Sequence, residues 1–104
     1  MISDHIYGNQ LLDFYGSLLT AHQREILSEY YANDYSMQEI AENHAISKAA
    51  VSDLINRCSR QLEDYEKKLK LISRHQQREA LLQEMTGDEH ACRYAERLRQ
   101  IEEE

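Results

Sequence analysis

Between Ser36 and Asn56 the chain reads SMQEIAENHAISKAAVSDLIN, and two helices start so close together there that the first has room for about two turns before a corner. Ser36 and Glu39, three residues apart, form a capping box in which each side chain satisfies the other residue's orphan backbone amide. Ile40, Ala41 and His44 share one face of this short helix, and Ala41 is the small side chain that two steeply crossed helices need where their backbones meet. Ile46 fills the corner, Ser47 caps the next helix, and Val51, Leu54 and Ile55 turn its apolar face inward. The pattern predicts a helix-turn-helix. It leaves Ser47, Lys48, Ala49, Ser52 and Asn56 facing outward near the start of the second helix, where a recognition helix meets base edges. Ala45 holds the corner, where a left-handed backbone costs roughly 1 kcal/mol relative to glycine. The same spacing also fits a three-helix packing unit that reads no nucleic acid, because geometry alone does not set function.

The rest of the chain is built for helix. Its 104 residues contain no proline and three glycines, Gly8, Gly16 and Gly87. The expectation is one all-α domain over residues 1–104, with a head over 9–56 and a continuation over 57–104. Residues 1–8 read as a frayed lead-in. Leu11, Leu12, Tyr15, Leu18 and Leu19 predict a first helix from Asn9 to Leu19, weakened at Gly16. Thr20 and Gln23 form a second capping box and open a helix running to about Ala32. Val51, Ile55, Cys58, Leu62, Tyr65, Leu69 and Ile72 then alternate steps of four and three, a heptad stripe that predicts one long helix. That stripe exceeds what a small head can cover, so Leu62, Tyr65, Leu69 and Ile72 are expected to meet another subunit in a homodimer. Thr86-Gly87-Asp88 is the clearest turn. Beyond it a final helix is expected to fold back antiparallel, burying Ala91, Tyr94, Ala95, Leu98 and Ile101 and ending in an exposed acidic tail, Glu102, Glu103 and Glu104.

Charge is unevenly spread within a formal total of −7. Residues 1–46 carry −6, residues 47–80 carry +3 and residues 81–104 carry −4, so a basic island lies between acidic flanks. The overall sign argues against a general polyanion binder, whereas the island suits a steered, specific contact. Two cysteines, Cys58 and Cys92, suggest reduced thiols rather than a disulfide framework. With no apolar run long enough to span a bilayer and no secretory pattern at the start, a cytoplasmic location without membrane contact is expected.

Three segments, LLDFYGSLLT at Leu11 to Thr20, EYYANDYSMQEIAENHAISKAAV at Glu29 to Val51 and LEDYEKKL at Leu62 to Leu69, resemble the YlxM-type family of small helix-turn-helix proteins in order and spacing. Ala45 and His44 depart from the glycine and aromatic residue usual at that corner. The resemblance implies a helical head similar to the fourth region of sigma factors, and it is consistent with a dimeric habit. It also implies a regulatory role in co-translational targeting, since the family is encoded beside the signal recognition particle GTPase and its receptor.

Nucleic-acid contact would fall to Ser47, Lys48, Ser52, Asn56, Arg57 and Arg60, either on DNA or on signal recognition particle RNA. The competing expectation is a solvated face in which Asp53 pairs with Arg57 and Arg60 with Asp64 at i, i+4. A further alternative is a protein-interaction module that docks on the particle's GTPase without touching nucleic acid. Enzymatic chemistry finds little support. His5, His22, His44, His75 and His90 are scattered along the chain, His90 and Cys92 point to different faces of a helix, and no phosphate loop or nucleophile context is present. No cofactor and no metal site are expected.

Overall fold

A computed structural model describes residues 4–103, all of whose regular structure is helical, in two compact units divided in sequence after Ile72. The first unit holds α1 (His5–Tyr15), α2 (Ala21–Tyr31), α3 (Met37–His44) and α4 (Lys48–Leu69); α5 (Leu71–Met85) begins at its edge, and α6 (Glu89–Glu103) completes the second.

Local chemistry explains where these helices begin. Asp4 accepts from the Ile6 amide and starts α1, so the expected lead-in is helical from His5, while residues 1–3 lie outside those described. Thr20 and Gln23 form the reciprocal box on α2, and Ser36 and Glu39 form it on α3. The first helix is shorter than the spacing suggests. It gives way at Gly16 to a 3₁₀ turn over Gly16–Leu18, which leaves Leu18 exposed and sends Leu19 into the core on extended backbone.

All of α1, α2 and α3 pack on α4. Leu11, Tyr15, Ile26, Leu27, Ile40, Val51, Ile55 and Leu62 are fully buried there, each side chain worth about 1.5–3 kcal/mol on burial. Gly8 lets α1 lie directly on Tyr31: a Cβ at this position would sit 2.9 Å from the ring's Cγ and closer still to its edge. Deeper in, Tyr31 and Ser59 share a 2.7 Å hydrogen bond between their hydroxyls and so tie α2 to α4.

The expected single long helix is interrupted. Lys70 adopts a left-handed backbone, φ 56° and ψ 34°, and separates α4 from α5. A side-chain network holds the break: the Tyr15 hydroxyl donates to Glu66 Oε1 at 2.7 Å, the Leu71 amide donates to that hydroxyl at 3.1 Å, and the Ile72 amide donates to the same Glu66 oxygen at 2.9 Å. Two amides that a helix start would orphan are thereby satisfied. The break re-aims the heptad stripe. Leu62 and Ile72 lie in the chain's own core, Tyr65 is half-buried and stacked on Tyr15 with centroids 6.0 Å apart, and Leu69 is 46% exposed. The four residues expected to meet a second subunit therefore do not form one outward surface.

In the second unit the Thr86-Gly87-Asp88 turn forms as the sequence predicts. Thr86 bonds back to the Gln83 carbonyl through both amide and hydroxyl, and Asp88 caps α6 by accepting from the His90 and Ala91 amides. Glu79–Arg99 and Arg78–Glu102 ion pairs join the middle of α5 to the end of α6, and with the short turn between them the two helices run antiparallel. Glu102 is thus paired rather than free in an acidic tail; the Glu103 side chain and Glu104 lie outside the described residues. Burial is also thinner than expected. Ala95 is buried, but Tyr94, Leu98 and Ile101 are 61%, 48% and 66% exposed. The helical period places these side chains on one face, and that face stays largely exposed among the described residues. An apolar groove of about 180 Å³ opens between Leu81, Leu82, Met85, Leu98 and Ile101.

Candidate nucleic-acid interface

The start of α4 is held by contacts on both sides of the corner. α3 ends at Ala45, which is left-handed at φ 55° and ψ 42°, and the amide of Ala45 and that of Ile46 bond back to the last carbonyls of α3. Alanine thus adopts the conformation in which glycine is commoner. Ser47 then accepts from the Ala50 amide at 3.0 Å, and the Ser47 carbonyl accepts from Val51. The amides of Lys48 and Ala49, at the positive end of the helix, have no partner among the described residues, as an approaching phosphate requires.

Val51, Ile55 and Cys58 face the core, which turns Lys48, Ser52, Asn56 and Arg60 outward at successive steps of four. Lys48 and Arg60 are exposed and Ser52 and Asn56 half-buried. The Asn56 Oδ1 is turned away from solvent and has no hydrogen-bond partner among the described residues. Arg57 pairs with Asp53 at 3.0 Å; both side chains are about two-thirds exposed, at 68% and 66%. Such an i, i+4 pair contributes only a few tenths of a kcal/mol, weak enough for a phosphate to displace. No carboxylate pairs with Arg60 among the described residues, so the expected Arg60–Asp64 pair is not formed. Of the predicted contact residues, Ser47, Lys48, Arg57 and Arg60 are exposed, Ser52 and Asn56 are half-buried, and Arg57 is engaged by Asp53. Burial pushes the Cys58 thiol up, against the lowering influence of Arg57, which keeps it a protonated core side chain.

Two features of this region escape inspection of the sequence. His44, where a larger apolar side chain is usual, is largely buried and its Nε2 lies 2.7 Å from Glu29 Oε2, tying the end of α3 to α2. His22 and Glu25, in the first two turns of α2, come close to His44: one potential ligand atom from each of the three lies within 4.8 Å of the others. A second group, His75, Glu79 and Glu102, assembles in the hairpin, but Arg78 and Arg99 already neutralise its carboxylates.

The family model described as "Putative helix-turn-helix protein, YlxM / p13 like" matches residues 2–102. The chain is 54% identical over 74 residues to a UPF0122 protein of Anoxybacillus flavithermus, covering 71% of this chain and 67% of that one. It is 42% identical over 97 residues to a UPF0122 protein of Oceanobacillus iheyensis, covering 90% and 92%, and 42% identical over 100 residues to a UPF0122 protein of Lactococcus lactis, covering 92% and 90%. Among the described residues no helix is long and apolar enough to cross a membrane.

Proposed function

The chain belongs to the YlxM / p13-like helix-turn-helix family, and on that premise we propose that it is a regulatory protein of the signal recognition particle pathway that binds duplex DNA or the particle's RNA through α4. The carrying observation is the row Lys48, Ser52, Asn56 and Arg60 beside the free amides of a Ser47-capped helix start, with Arg57 held only by an exposed pair. Phosphate contacts would come from Lys48, Arg57, Arg60 and the amides, and base contacts from Ser52 and Asn56. The acidic remainder of the chain suppresses indiscriminate binding and leaves the specific contact to these few groups.

A titration of labelled duplex DNA and of signal recognition particle RNA across salt concentrations tests this. Three cations on one duplex predict a log-log salt slope of roughly −3. Arg57→Glu with Arg60→Glu removes affinity and flattens the slope while unfolding is unchanged. Undiminished affinity in that variant, or no saturable binding by the native chain at low salt, overturns the reading.

The exposed apolar face of the hairpin favours a second reading, a protein-interaction module that docks on the pathway's GTPase or on a second copy of the chain. Leu98→Asp separates the two. It abolishes association with the GTPase or with another copy and spares nucleic-acid affinity, and unchanged association removes this reading.

A further inference from the structure

The chain contains a feature that neither reading uses, at the junction of α2 and α3. His22 and Glu25 are one turn apart on α2, and α3 delivers His44 to them across the α2–α3 junction. We propose that these three residues bind a divalent transition-metal ion of the zinc class. Two imidazoles and one carboxylate, with solvent completing the sphere, form a donor set of mixed nitrogen and oxygen that suits such ions and suits magnesium poorly.

Three observations support the assignment beyond proximity. First, His44 Nε2 is already engaged by Glu29 Oε2 at 2.7 Å, and both side chains are mostly buried, at 13% and 17% exposure. A histidine ligand that donates its second ring nitrogen to a carboxylate is fixed in orientation and made a stronger donor, and Nδ1 of His44 is the nitrogen left for the metal. Second, no lysine or arginine pairs with Glu25 or Glu29 among the described residues, unlike the carboxylates of the hairpin group. Third, residues 1–46 carry a charge of −6, so the local field attracts cations. The two rings already approach edge to face, with centroids 5.5 Å apart; a bound ion would turn them toward itself. His44 immediately precedes left-handed Ala45, so the ion would brace the corner that aims α4.

The test uses the whole chain with zinc chloride, read by calorimetric titration and by thermal unfolding. The expected result is one site per chain and a rise in midpoint on adding zinc that magnesium does not reproduce. His22→Gln, an exposed change that leaves the fold intact, lowers zinc affinity at least tenfold. Glu25→Gln does the same, whereas His90→Gln leaves affinity unchanged. Absence of zinc binding, or binding that survives His22→Gln and Glu25→Gln, overturns the proposal. Binding lost in His75→Gln instead also overturns it and moves the site to the hairpin.

Discussion

The head through Ile72 and the α5–α6 hairpin have similar helical patterning and opposite fates. In the head, three helices press on a fourth, and eight large or medium side chains of α1 to α4 reach complete burial. In the hairpin, α6 carries an equally regular apolar stripe, yet only Leu82 and Ala95 are buried, Tyr94, Leu98 and Ile101 stay exposed, and ion pairs supplement the apolar contact between the helices. Amphipathicity is a statement about what a helix needs, and burial depends on whether the chain supplies it. The head supplies its own covering; the hairpin keeps a surface to offer.

Substitutions sharpen this contrast. Leu62→Ala, in the centre of the head, is expected to cost about 2–5 kcal/mol in denaturant unfolding, because transfer and cavity terms add. Gly8→Ala comes next at about 1–3 kcal/mol: although alanine favours helix, the new methyl group must displace the buried Tyr31 ring. A neutral or stabilising result would mean that α1 does not seat against Tyr31. Tyr31→Phe is expected to cost about 1–2 kcal/mol through the hydrogen bond lost to Ser59.

The same tyrosines set an alkaline limit. Desolvation by burial raises Tyr31 above the ordinary 10.0, and desolvation followed by the Glu66 hydrogen bond raises Tyr15. Unfolding therefore releases protons, so the stabilisation is complete below about pH 10 and is lost as pH rises toward the folded values. Tyr31→Phe should blunt that loss in a pH series of unfolding midpoints. Smallest of all is Leu98→Ala, expected within about 0.5 kcal/mol as a surface change. A loss as large as that of Leu62→Ala would break the contrast and show that the hairpin is as self-supporting as the head.

Much of the head was legible because its signals are local. Thr20 with Gln23 and Ser36 with Glu39 announce helix starts within four residues, and the structure forms both boxes. The corner and the Thr86-Gly87-Asp88 turn follow from the same short-range chemistry. What escaped depends on partners distant in sequence. Lys70 has no turn propensity of its own; it breaks the helix where Tyr15 and Glu66 satisfy the amides that follow. His22 and His44 look scattered until α2 and α3 cross, and the Glu29 contact that orients His44 has no sequence signature. Helical period correctly placed Tyr94, Leu98 and Ile101 on one face but carried no information about whether anything lies against it.

The placement of α4 has a consequence for synthesis. A ribosome makes α1, α2 and α3 first; they pack partly on one another, yet all three also bury apolar side chains on a helix that does not yet exist. Until the chain is extended through Ile72, whose amide closes the network on Glu66 and Tyr15, Leu11, Ile26 and Ile40 have nothing complete to fold against. The head therefore closes its core only once α4 and the first residues of α5 have been made.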